Sequence, residues 1–153
     1  MSFVNGLKRE PLAKIADRLA NYELVIKSSE PLFDMSGKKL EDICKSHPQY
    51  LSMYNTLLQE CKTVEQYVET KVEEQEGLLY RKYIDSGARA LGATELKQYV
   101  RSDPAYVEIK SILADVNHIK RTLEAIVAAL ETMGWTLSNI VKLRVAQMDH
   151  VIL

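Results

Sequence analysis

The sequence predicts an all-α protein, with long amphipathic helices forming an oligomeric helical bundle or ring and shorter helices toward each end. Three observations carry that expectation. Apolar residues recur at spacings of three and four along two long stretches. Glycine (6) and proline (4) are scarce among 153 residues. No run alternates apolar and polar residues as a half-buried strand does.

The strongest of the periodic stretches is a seam made of Ile109, Ile112, Val116, Ile119, Leu123, Ile126, Leu130 and Met133. Its unbroken three–four alternation is the period of a helix wound against other helices. Asp103-Pro104 supplies an acceptor for the first free N–H groups and then a residue that needs no N–H donor, so the helix is expected to start there. Gly134, which can adopt the left-handed conformation without a Cβ penalty, is expected to end it. Isoleucine at both seam positions, with Leu113 and Val127 widening the stripe, favours more than two helices over a two-stranded coil. Ile109, Ile112, Val116, Ile119, Leu123, Ile126 and Leu130 are therefore the expected contact between identical copies.

Before that helix, Pro11 starts a first one carrying Leu12, Ile15, Leu19 and Val25 as far as Lys27. Ser28-Ser29-Glu30-Pro31 interrupts it, and Asp34-Met35-Ser36-Gly37 reads as a loop. A short helix is expected over Leu40 to Lys45, closed by His47-Pro48, with His47 in a capping or turn role. A long helix follows, with Tyr50, Tyr54, Leu57, Cys61, Val64, Val68, Val72, Leu79 and Tyr83 on one face. Residues 84–94, containing Gly87 and Gly92, read as a loop, and Glu95 to Arg101 as one or two helical turns. After Gly134, Thr136 is expected to cap a last short helix with Leu137, Ile140, Val141 and Leu143. Trp135 would staple that helix to the bundle, and Val151-Ile152-Leu153 would pack or fray.

Length and composition fit one helical domain over residues 1–153, divided into an N-terminal extension (1–49) and a core (50–147). A hydrophobic fraction of 46% excludes wholesale disorder. No apolar run approaches the roughly 20 residues that span a bilayer. The opening residues lack the apolar core and cleavage site of a signal peptide. Cys44 and Cys61 form no CxxC and are expected to be buried thiols, which points to a cytoplasmic setting. His47, His118 and His150 make neither HExxH nor a zinc spacing, and His118 is expected on a solvated face. No GxxxxGK[ST] loop is present, so no metal, no cofactor and no enzymatic activity are expected.

Net charge is −1, so any attraction for nucleic acid must come from uneven placement. Between Glu60 and Glu76 six acids face two lysines, a net of −4. Between Arg81 and Arg101 five bases (Arg81, Lys82, Arg89, Lys97 and Arg101) face Asp85 and Glu95, a net of +3. Tyr80, Tyr83 and Tyr99 are interleaved with those bases. Cations neutralise phosphates, and phenol rings stack on unpaired bases. The candidate DNA contacts are accordingly Arg81, Lys82, Arg89, Lys97, Arg101, Tyr80 and Tyr83, although Tyr83 also lies on the seam side of its helix. Charged turns are more often plain solvated surface, and helix tyrosines more often pack. Repetition around an assembly shifts that balance, because many weak contacts made together multiply.

The span from Leu51 to Arg144 resembles the UvsY recombination mediators of T-even-like phages. The likeness lies in a long helix ending Tyr80-Arg81-Lys82-Tyr83, then Asp85-Ser86-Gly87, Glu95-Leu96-Lys97-Gln98-Tyr99 and Ser102-Asp103. A second long helix follows, ending Ala129-Leu130, and then Gly134-Trp135-Thr136-Leu137-Ser138-Asn139-Ile140. The resemblance implies a homo-oligomeric ring of more than two copies, acting in the host cytoplasm, that binds single-stranded DNA. It would help load a recombinase onto strands coated by single-strand binding protein. The competing expectation is a helical adaptor that binds protein partners and no nucleic acid, supported by the acidic stretch 60–76.

Overall fold

The computed structural model describes residues 11–87 and 92–151, which form five helical segments and no strand. They are α1 (Ala13–Lys27), the single turn α2 (Glu30–Phe33), α3 (Leu40–Asp85), α4 (Ala93–Ser102) and α5 (Pro104–Val151). The all-α expectation holds. The chain divides into two compact units, one formed by residues 1–20 and 60–120, the other by residues 21–59 and 121–153. None of the helices among the described residues is long and apolar enough to cross a membrane.

In the first unit, Cys61 Sγ lies 3.8 Å from the Val116 carbonyl oxygen and the Tyr83 hydroxyl 2.9 Å from Asp103. α3 and α5 therefore run antiparallel here. Cys61, Val64, Val68, Val72 and Leu79 from α3 are buried together with Ile109, Leu113, Val116 and Ile119 from α5, and with Ile15 and Leu19 from α1. The amphipathic spacing explains the pairing: each helix has one apolar stripe, and facing stripes remove both from water. Lys120 Nζ meets Glu65 at 2.6 Å, with both side chains largely shielded.

The second unit uses the same logic. Tyr22, Ile43, Tyr54, Leu58, Leu123, Ile126, Val127, Leu130, Met133 and Leu137 are buried. The Tyr54 hydroxyl donates to the Val25 carbonyl at 3.0 Å, and the Ser28 N–H and hydroxyl donate to the same oxygen. That carbonyl belongs to the last turn of α1, where intrahelical donors run out. Gly37, at φ +69°, turns the chain into α3, assisted by the Ser36 N–H donating to Asp34 at 2.9 Å.

Two expected helix ends are absent. α3 passes through Pro48 without stopping and is 46 residues long. The proline removes the hydrogen bond that the Cys44 carbonyl would have received. Ile43, Tyr54 and Cys61 nevertheless stay in phase on one buried face, while Pro48 faces outward. Breaking there would forfeit that stripe. α5 likewise runs 48 residues through Gly134, Trp135 and Thr136, because Leu130, Met133 and Leu137 continue the buried stripe in register. Thr136 caps nothing; its hydroxyl donates to the Thr132 carbonyl one turn back, at 3.1 Å.

Gly134 has a different role from the one its sequence context suggested. Among the described residues the glycines with positive φ are Gly37 and Gly87. A Cβ at Gly134 would sit 3.0 Å from His47 Cε1, and His47 Nε2 lies 2.7 Å from the Leu130 carbonyl oxygen. The carbonyl can only accept, so the ring donates from Nε2. His47 is thus a lateral tie between α3 and α5 inside the second unit, not a cap. Gly134→Ala gains about 1 kcal/mol of helix propensity but must displace a ring whose hydrogen bond contributes about 0.5–1.5 kcal/mol. The change is expected to stabilise by about 1 kcal/mol only after His47→Ala has cleared the space. Urea denaturation of the two single variants and the double variant checks this; additive effects would uncouple the two residues.

The seam is also placed differently from its expected use. Ile109, Val116, Ile119, Leu123, Ile126 and Leu130 are buried inside the single chain, and Ile112 is half-buried. The side chains expected to join copies are instead the core between this chain's own helices. Cys61 is buried as expected, Cys44 only half so, and neither forms a disulfide. His118 is exposed, as expected.

Candidate nucleic-acid interface

Apart from Arg89, the candidate cations and tyrosines lie where α3 ends and α4 leads into α5, within the first unit. Asp103 organises this corner. Its backbone N–H closes α4 by donating to the Val100 carbonyl at 3.2 Å. Its Oδ1 accepts from the Ala105 N–H at 2.9 Å and so caps α5, as the Asp-Pro spacing predicted. Its Oδ2 accepts from the Tyr83 hydroxyl at 2.9 Å and from Lys82 Nζ at 3.2 Å. One buried aspartate, through its backbone N–H and its carboxylate, therefore fastens three helices. The Ala105 N–H, then the Tyr83 hydroxyl and Lys82, hold the Asp103 carboxyl below its ordinary value of 3.8. The same bond to Asp103 pushes the Tyr83 phenol above its ordinary value of 10.0.

A carboxyl depressed on folding stabilises the native state above its unfolded pKa and loses that contribution as pH falls through its folded one. Thermal melts of Asp103→Asn should therefore lie below those of the parent at about pH 6 and converge with them only as pH falls below the ordinary carboxyl value of 3.8. Curves that stay parallel would remove Asp103 from this role.

The arrangement sorts the candidates. Tyr83 and Lys82 are engaged with Asp103, and the Lys82 ammonium also lies 5.3 Å from the Tyr83 ring centre. Tyr80 is half-buried. Arg81 is exposed and points away from the buried stripe of α3. Lys97 and Arg101, four residues apart, share an exposed edge of α4. Tyr99 lies on the opposite edge, 52% exposed, with its ring centre 6.1 Å from that of Tyr83 and the planes at 46°. Arg89 lies outside the described residues.

No family model, no curated protein and no solved structure matches this chain.

The ring with an open face is Tyr99, which sequence reading noted but ranked below Tyr80 and Tyr83. The signal was available: Val100 and Leu96 set the inner face of α4, which leaves Tyr99 on its flank. Trp135 was also misplaced. Expected as a staple, it is 75% exposed, because an uninterrupted α5 carries it to the side opposite Met133 and Leu137.

Two other features of the second unit bear on function. From Val141 to Gln147 every residue of α5 is exposed, including the apolar Val141, Leu143 and Val145. A cavity of about 360 Å³ is lined by Leu32, Ile43, Tyr50 and Met133, with Lys38 and Lys39 against Asp34 and Asp42. With two charges of each sign, it selects for neither a cation nor an anion.

Proposed function

We propose that this protein binds single-stranded DNA as a homo-oligomer and acts as a recombination mediator, assisting a recombinase onto strands coated by single-strand binding protein. The observation that carries the DNA contact is the exposed set Arg81, Lys97 and Arg101 on the corner that also presents Tyr99. Cations spread over a convex helical surface suit a flexible polyanion, and an open aromatic face suits unpaired bases. Lys82 serves chiefly to hold the corner together, and Tyr83 backs Tyr99. The recombination role rests on the likeness of residues 51–144 to the UvsY mediators.

Self-assembly, in this reading, does not use the buried seam. Among the exposed apolar side chains, Val141, Leu143 and Val145 lie close together in sequence on the last turns of α5 and are the ones assigned to it. Those residues equally support the adaptor reading, in which the exposed turns take a different protein. Titration of a fluorescent single-stranded oligonucleotide at low and moderate salt separates the two. Tight binding that falls steeply with salt is the expected result, since each neutralised phosphate releases counterions. Absence of binding at low salt would leave the adaptor.

A further inference from the structure

Trp135 is the only tryptophan of the chain and is 75% exposed on the outer side of α5. Large rings in helical proteins are normally covered, whereas this one stands on the side of α5 opposite the buried Met133 and Leu137. Its neighbours on the outer face follow from helical spacing. One turn back are Glu131 and Thr132, one turn ahead Ser138 and Asn139, and two turns ahead Lys142, all exposed. The apolar Val141 and Val145 project elsewhere around the helix, and the exposed Leu143 lies two turns ahead beside Lys142. The outer-face side chains one turn away on either side are polar. That is a poor centre for a protein interface, where a buried anchor is ringed by further packing.

It is a good platform for a flat polar ligand. An indole face stacks on any base, Asn139 can donate to and accept from a base edge, and Lys142 lies about 10 Å along the helix. The lysine can thus meet a flanking phosphate, on the side away from Glu131. We infer that Trp135 is a second contact for single-stranded nucleic acid, stacking on an unpaired base while Lys142 holds the adjoining backbone. This inference rests on the single-strand reading above but involves different residues in the other unit, so the two can fail separately.

The lone indole makes the test direct. Full-length protein is titrated with oligothymidylate, following intrinsic tryptophan emission and, in parallel, the anisotropy of a labelled copy of the strand. Emission is expected to be quenched along the same curve as anisotropy rises. Trp135→Ala should weaken binding roughly 5- to 100-fold, the usual range for one lost stacking partner, and Trp135→Phe should stay within a few-fold of the parent. Anisotropy that rises while emission stays constant overturns the inference and leaves the single-strand reading intact. So does unaltered affinity in Trp135→Ala. Emission that shifts with protein concentration in the absence of DNA assigns the ring to a contact between copies and also overturns it. If anisotropy never rises, the single-strand reading fails and this inference falls with it. The quenching result needs no variant, so a folding defect in Trp135→Ala would not obscure the answer.

Discussion

Reversal of Arg81, Lys97 and Arg101 to glutamate together is expected to reduce single-strand affinity on the order of 100-fold at about 0.1 M salt. The magnitude follows from counterion release. Each contact to a single strand contributes about 0.7 to the slope of log affinity against log salt. Three contacts contribute about 2, or roughly two decades between 1 M and 0.1 M. The slope of the variant should therefore be shallower by about 2. All three side chains are exposed, so helicity and thermal stability should be unchanged. Lys82→Glu is the informative contrast. It would place a second carboxylate beside Asp103, whose Oδ2 now accepts from that ammonium. Lys82→Glu should accordingly lower thermal stability, whereas Arg81→Glu should not. Anisotropy titrations over a salt series, with melts monitored by circular dichroism, check both statements. Equal affinities in parent and triple variant would move the DNA contact elsewhere.

The elements were legible where one signal dominated. The three–four spacing located the buried faces of α3 and α5, and Asp103-Pro104 marked the start of α5 to the residue. Boundaries failed at Pro48 and Gly134 for a shared reason. Local rules treat proline and glycine as punctuation, but a stripe that stays in phase across them favours one continuous rod. Only the packing of His47 against Gly134, 87 positions apart in sequence, explains the glycine. Long-range geometry also re-sorted the site. Nothing in the run Tyr80 to Tyr83 tells that Asp103 will take the Tyr83 hydroxyl and the Lys82 ammonium. That requires α3 and the α4–α5 junction to be adjacent. Trp135 followed from the Gly134 error, since ending the helix one residue early turns an outward ring into an inward one.

The seam provides the second large effect. Leu123 is fully buried and Ile119 nearly so, and both line the interior of one chain. Leu123→Ala is expected to destabilise by about 2–5 kcal/mol, combining lost transfer energy with an unfilled cavity. Aspartate at either position would add a carboxyl with no partner in an apolar surrounding, a further cost of several kcal/mol. Against the about 5–15 kcal/mol that holds a typical domain together, Ile119→Asp or Leu123→Asp should abolish folding, with helical circular dichroism lost rather than merely oligomer mass. A seam serving only to join copies predicts the reverse, a helical monomer. Urea denaturation of Leu123→Ala at two protein concentrations discriminates between them. A core residue lowers the midpoint by the same amount at both, because the packing it supplies lies within one chain. A residue between copies lowers it most at the higher concentration, where assembly stabilises the parent by mass action and the variant loses that contribution. The exposed Val141, Leu143 and Val145 should behave in the second way, so aspartate at Leu143 should release folded monomers without loss of helix. Assembly and folding would then be carried by different stretches of the same helix.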